Sequence, residues 1–179
     1  MTEPNETVET TEAPIFTPKI LGPRQKHTLV TDDWLTPPHI IESLGPFDLD
    51  PCAAVDQPWP TANKHYTLQD NGLEKPWKGS VWCHPPYSLC KPWLAKCAEC
   101  DDALVLLYAR TETEMWKQYV WADGMASGVL FIYGRLYFHR ADGSKSETNA
   151  GAPSAIVAYG KAALRRFERR AFAGKVIKL

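Results

Sequence analysis

Apolar positions along the chain fall into short continuous runs and into stripes with helical spacing. The runs over 81–83, 103–109 and 128–133 have the length and character of buried strands. Phe47 and Leu49 alternate with Asp48 and Asp50, which predicts a strand with one apolar face and carboxylates toward its end. Trp93, Leu94, Cys97 and Ala98 make one stripe of a helix over 89–100. Ile40, Ile41 and Leu44 follow Thr36-Pro37-Pro38 with helical spacing. Thr36 is the expected cap there, Pro37 the first turn and Gly45-Pro46 the stop. Thr113 is the expected cap of a helix over 114–122. Segments 136–139 and 155–159 are predicted to pair as antiparallel strands, with the polar stretch 141–150 between them a mobile loop. A basic helix is predicted over 162–173. The stretch 55–79 reads as irregular, except for a helical turn at 60–64 and a turn at Asp70-Asn71-Gly72-Leu73.

Composition narrows the class. A chain of 179 residues with 44% hydrophobic residues suits one globular domain. Residues 1–26 are polar, acidic and proline-bearing, and read as a disordered arm ahead of a single domain over 27–179. The net charge of -1 announces no global basic field. The C-terminal stretch nevertheless gathers Lys161, Arg165, Arg166, Arg169, Arg170, Lys175 and Lys178 against Glu168. It is either a solvated helix face or a phosphate-contact surface. No apolar run reaches the length of a membrane span, and the N-terminus has no signal-peptide pattern. The expectation is a protein of the cytoplasm without a membrane partner, its five cysteines reduced.

Candidate chemistry centres on Ser80-Val81-Trp82-Cys83-His84-Pro85-Pro86-Tyr87-Ser88. The prolines stop the apolar strand, because neither can donate to a ladder. Backbone carbonyls of His84 and Pro85 then lie just past a strand end, beside the flat ring of Tyr87. Ligands of an open α/β sheet sit at such ends, and the set suits an amino group on a planar ring. The strand ending at Asp50-Pro51-Cys52-Ala53-Ala54 offers a carboxylate and small residues that let a ligand approach the backbone. Two rival readings involve cysteine. Cys83, Cys90, Cys97 and Cys100 with His84 invite zinc, since Cys97 and Cys100 have pair spacing; buried thiols acting as small hydrophobes explain them as well, and no metal is expected. Pro51-Cys52 is a weaker candidate for a cysteine nucleophile.

The pattern from Asp32 to Gly160 resembles the phage-type DNA adenine methyltransferase family. The resemblance rests on Asp33-Trp34-x-Thr36-Pro37, Asp48-Leu49-Asp50-Pro51-Cys52-Ala53, Asp70-Asn71-Gly72-Leu73, Val81-Trp82-x-His84-Pro85-Pro86-Tyr87, Ala109-Arg110-Thr111 with Thr113 and Trp116, Gly134-Arg135, and Gly151-Ala152-Pro153-Ser154. His84 stands where the family has Asp, Asn or Ser. Ala53-Ala54 stand where its cofactor loop has Gly-x-Gly. The resemblance implies a Rossmann-like methyltransferase fold: a mostly parallel sheet with an antiparallel last strand and helices on both faces. It implies S-adenosylmethionine as methyl donor, adenine in DNA as acceptor, and a bacteriophage origin, hence host cytoplasm. No stretch is left over for a separate target-recognition domain, so low sequence selectivity is expected. By the same resemblance, Trp34, Thr36 and Pro37 hold the methionine end of the cofactor. Asp48, Asp50 and Pro51 line its middle, and Asp70 or Asn71 faces its adenine. His84, Pro85, Pro86 and Tyr87 hold the target base.

Methyl transfer of this kind is a displacement in which the protein binds and aligns. The adenine amine is a weak nucleophile because its lone pair is delocalised into the ring. Acceptors on its hydrogens, the Pro85 carbonyl and the residue at 84, favour localising that pair. A neutral imidazole has one bare nitrogen and can accept. Arg110, Arg135, Arg140 and the C-terminal arginines are candidates to grip DNA phosphates, with surface solubility as their other reading. The alternative to an active enzyme is a catalytically degenerate protein of this fold that binds DNA or a protein partner.

Overall fold

The computed structural model describes residues 34–179. The arm expected over 1–26 lies outside the described residues, as do Thr31, Asp32 and Asp33. In chain order the elements are α1 (Pro38–Leu44), β1 (Leu49–Asp50), β2 (Lys64–His65), β3 (Val81–Cys83), α2 (Cys90–Cys97), β4 (Ala103–Tyr108), α3 (Glu114–Trp116, continued by a π-helical turn Lys117–Trp121), β5 (Gly128–Ile132), β6 (Ser154–Tyr159), α4 (Lys161–Arg166, continued by a 3-10 turn Phe167–Arg169) and β7 (Gly174–Lys178).

The strands form one sheet in the order β2-β1-β3-β4-β6-β5-β7. Strands β1 to β5 run one way; β6 and β7 are reversed. The α/β class is as expected, but the mostly parallel sheet is so only in part: three of the six strand pairings are antiparallel, two strands are reversed where one was predicted, and β6 is wedged between β4 and β5. Side chains alternate across the sheet. Leu104 and Leu106 of β4 share one core with Trp82, Ile156, α1 and α4, while Val105 and Leu107 share the other with Val81, Val157, α2 and α3. Burial on both faces explains why β3, β4 and β6 read as continuous apolar runs.

The remaining departures are local. Segment 136–139 does not pair with β6; it meets Leu35 and Lys145 through single bridges at His139. The stretch 141–150, expected to be a mobile loop, folds back instead. The Ser146 amide donates to the Phe138 carbonyl (2.8 Å) and the Ala150 amide to that of Leu136 (2.7 Å). The expected helical turn at 60–64 is a bend leading into β2, and the predicted basic helix over 162–173 ends by Arg169, followed by the edge strand β7. Thr36 caps no helix, since Pro37 occupies the cap position of α1 and Pro38 opens it; Thr113 does occupy the cap position of α3, as expected, but makes no side-chain cap bond.

One feature of the topology positions the site. From β1 the chain crosses to β2 on one side, then returns to place β3 on the other. The strand order reverses between β1 and β3, and the crevice beyond their carboxyl ends is where open α/β sheets bind ligands.

Candidate active site

Asp50 ends β1 at that crevice, and His84-Pro85 follow β3 on its other side. One cavity joins them, with Trp34, Thr36, Asp50, Asn71, His84 and Pro85 in its wall. Asp50 is only 3% exposed. Its Oδ1 accepts from the Cys52 amide at 3.0 Å, and its Oδ2 accepts from the Thr61 hydroxyl. Burial outweighs these donors and pushes its pKa up from 3.8 to about 6. Thr61 is in turn fixed through the loop before β2. His65 Nε2 accepts from the amides of Thr61 (3.2 Å) and Ala62 (3.3 Å). A ring nitrogen that accepts carries no proton, and burial lowers the His65 pKa in the same sense.

The floor of the cavity depends on a close backbone approach. A Cβ on Gly72 would lie 1.9 Å from the Pro51 carbonyl oxygen, so only glycine lets the turn after Asp70 pack against the end of β1. Pro51, Cys52, Ala53 and Ala54 complete that side of the wall. The Cys52 Sγ lies 3.6 Å from Cys83 Sγ, and burial raises the pKa of both thiols. They stay protonated, which removes the chemical basis for a nucleophilic Cys52. All five cysteines are free thiols. Among the described residues no group of three or more His, Cys, Asp or Glu side chains is placed to hold a metal.

His84 is held on both ring nitrogens. Nδ1 lies 3.1 Å from the Thr36 hydroxyl, and Nε2 lies 3.2 Å from the Tyr87 hydroxyl. Phe138 stacks on the imidazole with centroids 5.2 Å apart. This explains why Thr36, 2% exposed, is no helix cap. The paired Leu35 and His139 backbones pull it inward, and its hydroxyl goes to the imidazole. Tyr87 has one face covered by Tyr108, with centroids 3.7 Å apart and planes 12° apart. The Arg110 guanidinium sits 5.7 Å from the Tyr108 ring centroid. His84 meets the Tyr87 ring edge-on, with centroids 5.6 Å apart and planes at 68°, and the Phe138 ring centroid lies 6.5 Å away.

Not every residue singled out in the sequence reaches the cavity. Pro86 lies in the wall, whereas Pro37, Asp48, Asp70 and Tyr87 do not; Tyr87 lines a separate hollow with Tyr108 and Arg110. Asp48 binds the far end of the sheet: it accepts from the Ser80 amide (2.8 Å) and hydroxyl (2.9 Å), bonds that lower its pKa. Asp70 caps its own turn through the Thr67 amide at 2.8 Å, and Asn71 beside it takes the place in the wall. Arg165, Arg169, Arg110, Arg135 and Arg140 are exposed. Arg166 and Arg170 are engaged internally. Arg166 forms a two-point ion pair with Asp102 and donates to the carbonyls of Leu44 and Pro46; Arg170 donates to those of Phe167 and Gly174. Sequence reading missed Thr61 and Trp82 in the wall. Thr61 sits in a stretch without periodicity. Trp82 carried the one available signal, the middle position of a strand that ends at the site.

A family model described as DNA N-6-adenine-methyltransferase (Dam) matches residues 25–171. No curated protein matches the chain.

Proposed function

The chain belongs to the DNA N-6-adenine-methyltransferase family, and from that premise we propose that it transfers a methyl group from S-adenosylmethionine to the exocyclic amino group of adenine in DNA, with little preference for surrounding sequence. The observation that carries this reading is the single cavity walled by both Asp50 and the His84-Pro85 turn. A donor bound along the β1 end therefore lies against the group that grips the acceptor.

The wall fits such a cofactor. Asp50 is a buried acceptor for an ammonium or hydroxyl, Asn71 can both donate and accept, and Ala53-Ala54 leave the backbone approachable. Bound there, S-adenosylmethionine supplies a methyl group on an electrophilic sulfonium carbon. The protein's own residues bind and orient. Trp34 and Thr36 close the cavity beside α1, and Asp50 and Asn71 flank the strand end. The Pro85 carbonyl accepts one hydrogen of the target amine. His84 accepts the other through whichever ring nitrogen carries no proton, once the hydroxyl resting on it turns away. Tyr87, backed by Tyr108, contributes its aromatic ring to holding the base. A base in duplex DNA must first leave its stack, which costs a few kcal/mol. The exposed Arg110, Arg135, Arg140, Arg165 and Arg169 offset part of that cost by binding phosphates.

One observation favours a second reading, a degenerate fold that binds DNA without turnover: both His84 nitrogens lie within hydrogen-bond reach of hydroxyls. Incubation with labelled S-adenosylmethionine and DNA, then nucleoside analysis, separates the two. Label on the adenine amine supports the enzyme; cofactor and DNA binding without label supports the second reading.

A further inference from the structure

Trp82 occupies the middle of β3, on the face shared with Phe47 and Leu104, and is 0% exposed. It is also one of the residues of the cavity wall, with Thr36, Asp50 and His84. Its indole Nε1–H has no acceptor. Buried polar groups of this kind are rare, because leaving a donor unpaired forfeits its hydration with no return. An indole N–H can only donate. The Trp82 indole therefore lacks an acceptor, while two other residues of the wall have partners: Asp50 in Thr61 and Cys52, Thr36 in His84.

We propose, resting on the cofactor reading above, that the Trp82 indole N–H donates to the carboxylate of the methionine end of S-adenosylmethionine, while Asp50 faces its ammonium. The methionine end is a zwitterion and needs a donor and an acceptor close together. The wall includes residues of both kinds, Trp82 with its unpaired indole N–H and Asp50 with its carboxylate. The adenosine portion carries no anion. A carboxylate is the acceptor that strengthens a buried N–H bond most, so the anionic end is the better match for this donor.

The test uses two ligands that differ only at that end. S-adenosylhomocysteine carries the amino-acid group; methylthioadenosine has the same nucleoside and thioether without it. Calorimetry of the full chain should show Trp82→Phe weakening S-adenosylhomocysteine about tenfold or more, with methylthioadenosine unchanged. Equal losses for both ligands would mean that Trp82 only shapes the cavity, and no loss for either would mean that the N–H is met by water; both results overturn the proposal. Should the variant fail to fold, heteronuclear NMR of the wild type gives the same answer. The assigned Trp82 indole N–H resonance should shift with S-adenosylhomocysteine and stay in place with methylthioadenosine; identical shifts overturn the proposal. A wild type that binds neither ligand refutes the cofactor reading itself, and this inference with it.

Discussion

Replacing Asp50 with Asn should change the pH dependence of stability in a specific direction. Asp50 ionises near 3.8 when unfolded and near 6 when folded, because burial opposes its charge. Between those values the folded chain holds a proton that the unfolded chain has released. Stability therefore falls as pH rises through this window, and the full penalty is present above about pH 6. The gap corresponds to about 3 kcal/mol. Asn has no charge to bury, and its amide can still accept from the Cys52 N–H and donate to the Thr61 hydroxyl. Wild type and Asp50→Asn should be unfolded with urea, without cofactor, at matched pH from about 4 to 7.5. Subtracting the two curves cancels other carboxylates such as Asp48. Wild type should gain on the variant by up to about 3 kcal/mol as pH is lowered across the window. A difference that stays flat, or that runs against the wild type at low pH, would refute a buried and destabilised Asp50 charge.

Other outcomes follow from the same geometry. Gly72→Ala forces a methyl group into the Pro51 carbonyl and should cost about 2–3 kcal/mol, a fall in Tm of about 5–10 °C, with loss of cofactor binding by calorimetry; an unchanged Tm would contradict the close approach. Arg166→Ala leaves Asp102 unpaired, with the two side chains 11% and 22% exposed, and should cost about 3 kcal/mol in urea unfolding. Arg165→Ala with Arg169→Ala should leave stability unchanged and lower the salt slope of DNA binding by up to about 2; an unaltered slope removes those arginines from the interface. His84→Asn should retain methyl transfer in the labelled-cofactor assay. A silent Asn variant beside an active wild type would show that the imidazole itself is required.

Much of the sheet was readable because β3, β4, β5 and β6 are buried runs, and such runs survive any arrangement of their neighbours. The edge strands were not. Lys64-His65 has no apolar pattern, and in Gly174–Lys178 only Val176 packs against the core, so the pairing of β7 with β5 is visible only once β5 is in place. Thr36 and Thr113 fit a local capping rule, yet each hydroxyl found another partner: the His84 ring for Thr36, the Arg110 carbonyl at 2.8 Å for Thr113. Asp50, Pro51, Asn71, His84 and Pro85 could be placed from sequence because they directly follow strands or sit in a turn. Thr61 could not, since its place against Asp50 depends on how the loop before β2 folds. Four arginines in one C-terminal stretch looked alike in sequence; the structure separates Arg165 and Arg169 from Arg166 and Arg170 by what each one touches.

The most direct test of the proposed function is the fate of the methyl group. The full chain, incubated with methyl-labelled S-adenosylmethionine and DNA and then digested to nucleosides, should give label on the exocyclic amine of deoxyadenosine. Label on cytosine, or none on any nucleoside while both cofactor and DNA bind, would contradict the account.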